Sequence, residues 1–280
     1  MIRYTLNSTD QIGIEQFETP PTVYLDHWAL RLMSDNEGVC DDFLRILKAR
    51  NGTLAISWLN LIEFTNVGDP GAHERAETLI EKALPNVFMM EVNPFVVIKA
   101  ENALLQGGPP APPHADRGFL ELIGTLKTTS LTGFTARGLV THMHGSSVAD
   151  EFARLSDEII AGLDHQRSEH SGSPNFQKLI RRPPAGPPIQ RGTRYVFREL
   201  ARTFLVDKSI PLSRNNAIDF LHATVPISYC DFVLLDGHWE DQISRVRTRF
   251  AKANMTVPLA SVHSRRADGV RRFLQSLSDA

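Results

Sequence analysis

The sequence predicts an α/β domain, a three-layer α/β/α sandwich on a parallel central sheet, plus a mostly helical insertion. Three observations lead to this reading. Short β-forming apolar runs alternate with amphipathic helical stretches over residues 22–104. The alternation stops between two Pro/Gly-rich segments, GGPPAPPHAD (107–116) and RRPPAGPPIQRG (181–192), which read as insertion boundaries. It then resumes to the C-terminus, so the predicted organisation is a first part over 22–104, a helical insertion over 105–192 and a second part over 193–280.

In chain order, residues 1–20 are polar and end at Pro20-Pro21, a lead-in with at most a short edge element. Thr22–Leu25 reads as a buried strand closed by Asp26, and HWALRLM and DDFLRILKAR carry helical spacing. After the turn signal Asn51-Gly52, TLAIS (53–57) is a second strand and WLNLIEFTNV a short helix. Residues 71–84 form an amphipathic helix, VFMMEV (87–92) a third strand, and NPFVVIKAENALLQ a helix capped by Asn93. Within the insertion, residues 146–166 are the clearest helix. The second part begins with the helix TRYVFRELARTFLV, followed by Asn215–Trp239, which carries a helix and the FVLL strand. HWEDQISRVRTRFAK, a last strand in TVPLASVH and the closing helix ADGVRRFLQSL complete it.

The totals exclude several classes. A formal charge of −2 gives no global basic field, so any nucleic-acid contact must be a local patch. Cys40 and Cys230 alone form neither a disulfide framework nor a CxxC zinc site. No apolar run approaches the roughly 20 residues of a membrane span, and the start has no apolar signal core, so a cytoplasmic protein with no membrane contact is expected.

The chemistry concentrates in carboxylates. Asp26 and Asp236 close apolar strands, Asp219 lies early in a helix, and Glu63 borders the apolar side of another, where it is either a solvated flank or a site residue. Ligands of parallel sheets bind outside the strand C-termini. Clustered carboxylates there are expensive to keep charged unless a hard cation neutralises them, which makes Mg²⁺ or Mn²⁺ the natural occupant.

These contexts resemble the PIN-domain nucleases. VYLDHWALRLM resembles that family's first strand and first acid, with Asp26 in the acid position. ISWLNLIEFTNV resembles its second motif, in which Ser57 ends the strand and Glu63 is the helical acid. AIDFLHATVPISYCDFVLLDGHW resembles the third and fourth motifs, onto which Asp219 and Asp236 map. Two departures stand out: Leu235 occupies the place where the family usually has Thr or Ser, and the interval from Glu63 to Asp219 is long.

The resemblance implies a metal-dependent endoribonuclease using Asp26, Glu63, Asp219 and Asp236 as metal ligands, with RNA as substrate. It also implies either a toxin held by an antitoxin partner or an RNA-processing enzyme; a homo-oligomer is left open by the sequence. The alternative is a catalytically inactive PIN-like module that binds RNA or protein. A phosphatase with Asp26 as nucleophile is disfavoured because Asp26-His27-Trp28 lacks a second Asp two residues on.

Other residues have two readings each. Asp231 is a supporting acid or a cap at the strand entry; His222 shares the face of Asp219 as a ligand or as a buried hydrogen-bonding histidine. Asn216 supports the same face or caps the helix start. Trp28, Trp58 and Trp239 follow strand ends, where they pack the sheet or stack on a base, and His27 and His238 share that rim. His142 and His144 lack a third ligand, and His165 and His170 are poorly spaced for chelation. Two basic stretches, Lys178–Arg202 and Arg245–Arg272, are RNA-binding patches or solvated helix faces.

Overall fold

A computed structural model describes residues 1–6, 12–65, 70–108, 111–119, 148–170, 172–184 and 192–280. Five parallel strands form the central sheet in the order β5-β4-β3-β6-β7. They are β3 (Thr22–Leu25), β4 (Thr53–Ile56), β5 (Val87–Met89), β6 (Phe232–Leu234) and β7 (Ser261–His263). Parallel strands need crossovers, and the helices between them supply two covering layers.

Strand alternation sorts the core into those layers. Val23, Leu25, Leu54, Ile56, Val87, Met89, Phe232 and Leu234 face one cluster. Helices α1 (His27–Asp35), α2 (Glu37–Ala49), α4 (Pro70–Ala83) and α11 (Gly269–Asp279) pack on that side. Tyr24, Ala55, Phe88 and Val233 face the other cluster, with α5 (Pro94–Leu105), α6 (Val148–His170), α8 (Thr193–Val206), α9 (Arg214–Tyr229) and α10 (Gly237–Lys252). The short α3 (Trp58–Thr65) contributes to both, and α7 (Pro174–Arg181) lies against α8. Each fully buried Leu, Ile or Phe in these layers contributes about 1.5–3 kcal/mol.

Several sequence expectations are corrected in detail. The lead-in pairs β1 (Ile2–Leu6) with β2 (Ile12–Gln16) as an antiparallel sheet of its own. The Gln16 side chain then exchanges two hydrogen bonds with the Met89 backbone, covering part of the β5 edge. The third strand ends at Met89 rather than residue 92, because Met90 makes only an isolated bridge to Ala115.

The turn at Asn51-Gly52 is present, with Asn51 at φ +53° and a Gly52 position where a Cβ would lie 2.6 Å from the Pro21 carbonyl oxygen. The predicted insertion helix is α6, and its Leu155, Ile159 and Leu163 join the second core layer. His142 and His144 lie outside the described residues. No helix among the described residues is long and apolar enough to cross a membrane.

Candidate functional site

The C-terminal edge of the sheet brings the predicted acids to one neighbourhood. Asp26 follows β3, its amide bonds the Leu234 carbonyl oxygen of β6, and its Oδ1 caps α1 by accepting from the Ala29 amide at 3.1 Å. Glu63 comes from α3, which leaves the end of β4. Asp219 is on α9, which starts on this side because the chain must return to the opposite edge to begin β6. Asp236 opens α10 after β6, and its side chain makes no cap bond there.

Charge coupling links the four. Burial pushes the Asp26 carboxyl well above its usual range, and the charges of Asp236 and Glu63 push it further, against the opposing effects of His222 and the Ala29 amide. Burial likewise pushes Asp219 up to about 6, with Asp236 and Glu63 adding to the rise and His222 opposing it.

Glu63 behaves differently. Burial raises it, but the charge and hydrogen bond of His222, joined by His27, more than reverse that effect and hold it below its usual value. His222 Nε2 lies 2.7 Å from Glu63 Oε2, and its Nδ1 lies 2.5 Å from the Tyr24 hydroxyl. The Tyr24 hydroxyl is 3.2 Å from Ser57 Oγ, which donates to Asn60 Oδ1 at 3.0 Å, while Asn60 Nδ2 donates to the Leu25 carbonyl oxygen at 3.1 Å. With both imidazole nitrogens protonated, His222 donates to Glu63 on one side and to the Tyr24 hydroxyl on the other, and from Tyr24 the donors run on through Ser57 and Asn60 to the Leu25 carbonyl oxygen.

Ser57 and His222 are therefore buried hydrogen-bonding residues that hold Glu63. Tyr24 and Asn60 belong to the same network and escape sequence reasoning. The only advance signals are strand alternation, which turns Tyr24 away from Val23 and Leu25, and the three-residue step from Ser57 to Asn60.

Two candidate supporting residues are placed elsewhere. Asp231 precedes β6, at the opposite end of that strand from Asp236; its Oδ2 accepts from the Thr22 amide at 2.7 Å and the Thr22 hydroxyl at 2.9 Å. It ties together the starts of β3 and β6, so it is a cap and not a member of the acid site. Asn216 donates to the Pro211 carbonyl oxygen at 2.7 Å, and its amide is capped by Ser213, so it fastens the start of α9.

Trp58 and Trp239 are packing residues, at 9% and 3% exposure. Trp28 remains at the rim, half-buried, with the Arg265 guanidinium 4.9 Å over its ring. Arg265 Nη2 also lies 3.3 Å from Asp236 Oδ1. His238 stands beside the Trp239 ring, with its basicity lowered chiefly by burial. His165 pairs with Glu169 on an exposed face of α6. Part of the basic C-terminal stretch is likewise paired, Arg266 with Asp241 and Arg272 with Glu240.

Leu235, where a hydroxyl was expected from the resemblance, is fully buried in the second core layer and offers no oxygen to the site. Hard carboxylate oxygens suit Mg²⁺ or Mn²⁺, and a cation would relieve the cost of ionising the buried Asp26 and Asp219. Among the described residues, however, no three His, Cys, Asp or Glu side chains form a group that could hold a metal ion as placed. The donor chemistry fits a hard cation, while the side-chain placement does not form a closed ligand shell.

No protein-family model, curated protein or solved structure matches the chain.

Proposed function

We propose that the chain is a PIN-like, divalent-cation-dependent endoribonuclease in which Asp26, Glu63, Asp219 and Asp236 hold Mg²⁺ or Mn²⁺. The observation that supports this reading most is the charge coupling of four carboxylates, from four separate segments, at the C-terminal edge of one parallel sheet. A cation bound there supplies an activated water and charge stabilisation for hydrolysis of an RNA phosphodiester. The protein's part is positional. The Ala29 amide fixes Asp26, and the Tyr24–His222 chain fixes Glu63. Trp28 and Arg265 stand where RNA would approach.

The test is cleavage of a panel of single-stranded and structured RNAs by purified protein with Mn²⁺ or Mg²⁺. Cleavage is expected, with a loss of about 100-fold or more in Asp26→Asn. Cleavage at the wild-type rate by Asp26→Asn removes this reading.

A second reading, a catalytically inactive module that binds RNA or protein, draws support from the engagement of Glu63 by His222 and from the lack of a closed ligand shell among the described residues. Calorimetric titration with Mn²⁺ separates the two: carboxylate-dependent binding supports the nuclease, and its absence supports the module. The nuclease reading carries two settings, a cytoplasmic toxin with an antitoxin partner or an RNA-processing enzyme. A small adjacent reading frame that neutralises toxicity would select the first.

A further inference from the structure

A cleft of about 490 Å³ opens among α5, α6, α7, α8 and α10, and none of the four carboxylates lines it. Its size is in the range of small-molecule sites, about 300–1,000 Å³. The walls are predominantly apolar. Ile159, Leu163, Phe197, Ala201 and Phe220 form much of the lining, and Phe95 and Leu179 stand at the mouth with 49% and 56% exposure.

Charge in the cleft is unbalanced. Glu199, 2% exposed, carries two guanidinium groups: Arg249 Nε at 2.5 Å and Arg202 Nε at 3.3 Å from Oε2. Arg249 also donates to the carbonyl oxygens of Arg181 and Arg182, which leaves Arg202 as the less satisfied partner. Arg182 and Arg198 line the same cleft and make no ion pair among the described residues, whereas Glu158 is the single other acid in the lining. Arg182 and Arg198 are exposed, so the charge held partly out of water is that of Arg202, whose side chain is 20% exposed and shares the Glu199 carboxylate with Arg249; a cation so placed against apolar walls is stabilised by a second anion. Burial and the neighbouring Arg249 lower the Arg202 guanidinium from its ordinary value, as that crowding requires.

The wall is also left open at Gly162, within the 23-residue α6. Glycine inside a helix costs about 0.5–1 kcal/mol relative to alanine. A Cβ there would meet nothing within 4 Å, so packing does not require the absence of a side chain.

We propose that this cleft binds a small amphipathic carboxylate of the fatty-acid type, with its chain against Phe197, Phe220 and Leu163 and its head group at Arg202. The site is separate from the sheet-edge carboxylates, and its occupancy does not depend on the nuclease reading.

The test is calorimetric titration of the full chain with sodium dodecanoate, below its micellar range, and with dodecanol as an uncharged chain of equal length. Saturable one-to-one binding of dodecanoate is expected, with dodecanol weaker. Arg202→Gln retains the Glu199–Arg249 pair and should weaken dodecanoate about tenfold or more, leaving dodecanol unchanged. Gly162→Phe should block both ligands without lowering the melting temperature, which separates occlusion from unfolding. Absence of saturable binding to the wild type overturns the proposal, as does binding indifferent to both substitutions. Sedimentation that shows a dimer dispersed by Gly162→Phe would assign the cleft to a second copy of the chain and overturn it as well.

Discussion

His222 Nε2 lies 2.7 Å from Glu63 Oε2, and this one contact joins α9 to α3 across 159 residues of sequence. Both partners favour the charged form: His222 is raised, because the charge and hydrogen bond of Glu63 and the charges of Asp26 and Asp219 outweigh burial, and Glu63 is lowered.

The pair should give stability a two-sided pH dependence. A raised histidine stabilises fully below its unfolded value, 6.5, and loses that contribution as pH rises through its folded pKa. A lowered glutamate stabilises above its unfolded value, 4.5, and loses that contribution as pH falls through its folded pKa. The contribution is therefore largest between those values. His222→Ala leaves Glu63 and the Tyr24 hydroxyl without this partner and should cost about 2–4 kcal/mol in urea unfolding there, with the pH dependence flattened. Equal stability of variant and wild type across that interval would sink the assignment.

Asp219 points the other way. Burial, with the charges of Asp236 and Glu63, raises it to about 6, so at neutral pH its ionised form opposes folding. Asp219→Asn should stabilise the metal-free protein at neutral pH by on the order of 1–2 kcal/mol after solvent screening is allowed for. The gain should shrink as pH falls toward the unfolded value, 3.8, where wild-type Asp219 is protonated in the folded state. Melting curves at neutral and acid pH measure it. The same variant should lose Mn²⁺ affinity if the carboxylates bind metal, a trade of stability for function.

Asp231 should matter for stability alone. Its carboxylate accepts from the amide and the hydroxyl of Thr22, and its own amide bonds Thr22 Oγ1 at 2.9 Å. Asp231→Ala should cost about 1–2 kcal/mol in urea unfolding. RNA cleavage and Mn²⁺ binding should be unchanged; a loss of either with the fold intact would return Asp231 to the site.

These contrasts show what was legible in advance. The parallel sheet was, because TVYL, TLAI, VFM and FVL are short β-forming runs, apolar but for Thr22 and Thr53, set between helical periodicities, the pattern of strands buried on both faces. The placement of Asp26 and Asp236 at one end of the sheet followed from topology, since each directly follows one of two paired parallel strands, whereas Glu63 and Asp219 come from helices whose placement local pattern does not fix. Asp231 was harder to place: it is five residues from Asp236, but a three-residue strand at about 3.3 Å per residue separates them onto opposite sheet edges. Tyr24 was hidden for another reason. Its face is readable from alternation, but its partner His222 lies 198 residues away, and no local pattern encodes that pairing.

Arg265 yields the last prediction, which concerns RNA. Its guanidinium reaches Asp236 Oδ1 at 3.3 Å and covers the Trp28 ring at 4.9 Å, and Arg265 and Trp28 line a groove with His27 and Arg31. The Arg265 side chain is 65% exposed, so its pairing with Asp236 is weak and an RNA phosphate can compete for it. Under the nuclease reading, displacement of Arg265 would also uncover the Trp28 ring for base stacking. Arg265→Ala, introduced into Asp26→Asn protein so that RNA is not cleaved, should weaken single-stranded RNA binding and lower the salt slope by about 0.7. Trp28→Leu should cost about 1–3 kcal/mol of affinity through lost stacking and leave the salt slope unchanged. Fluorescence anisotropy with a labelled oligonucleotide at several salt concentrations reads both effects. An unchanged slope in the first variant together with unchanged affinity in the second would detach this groove from RNA.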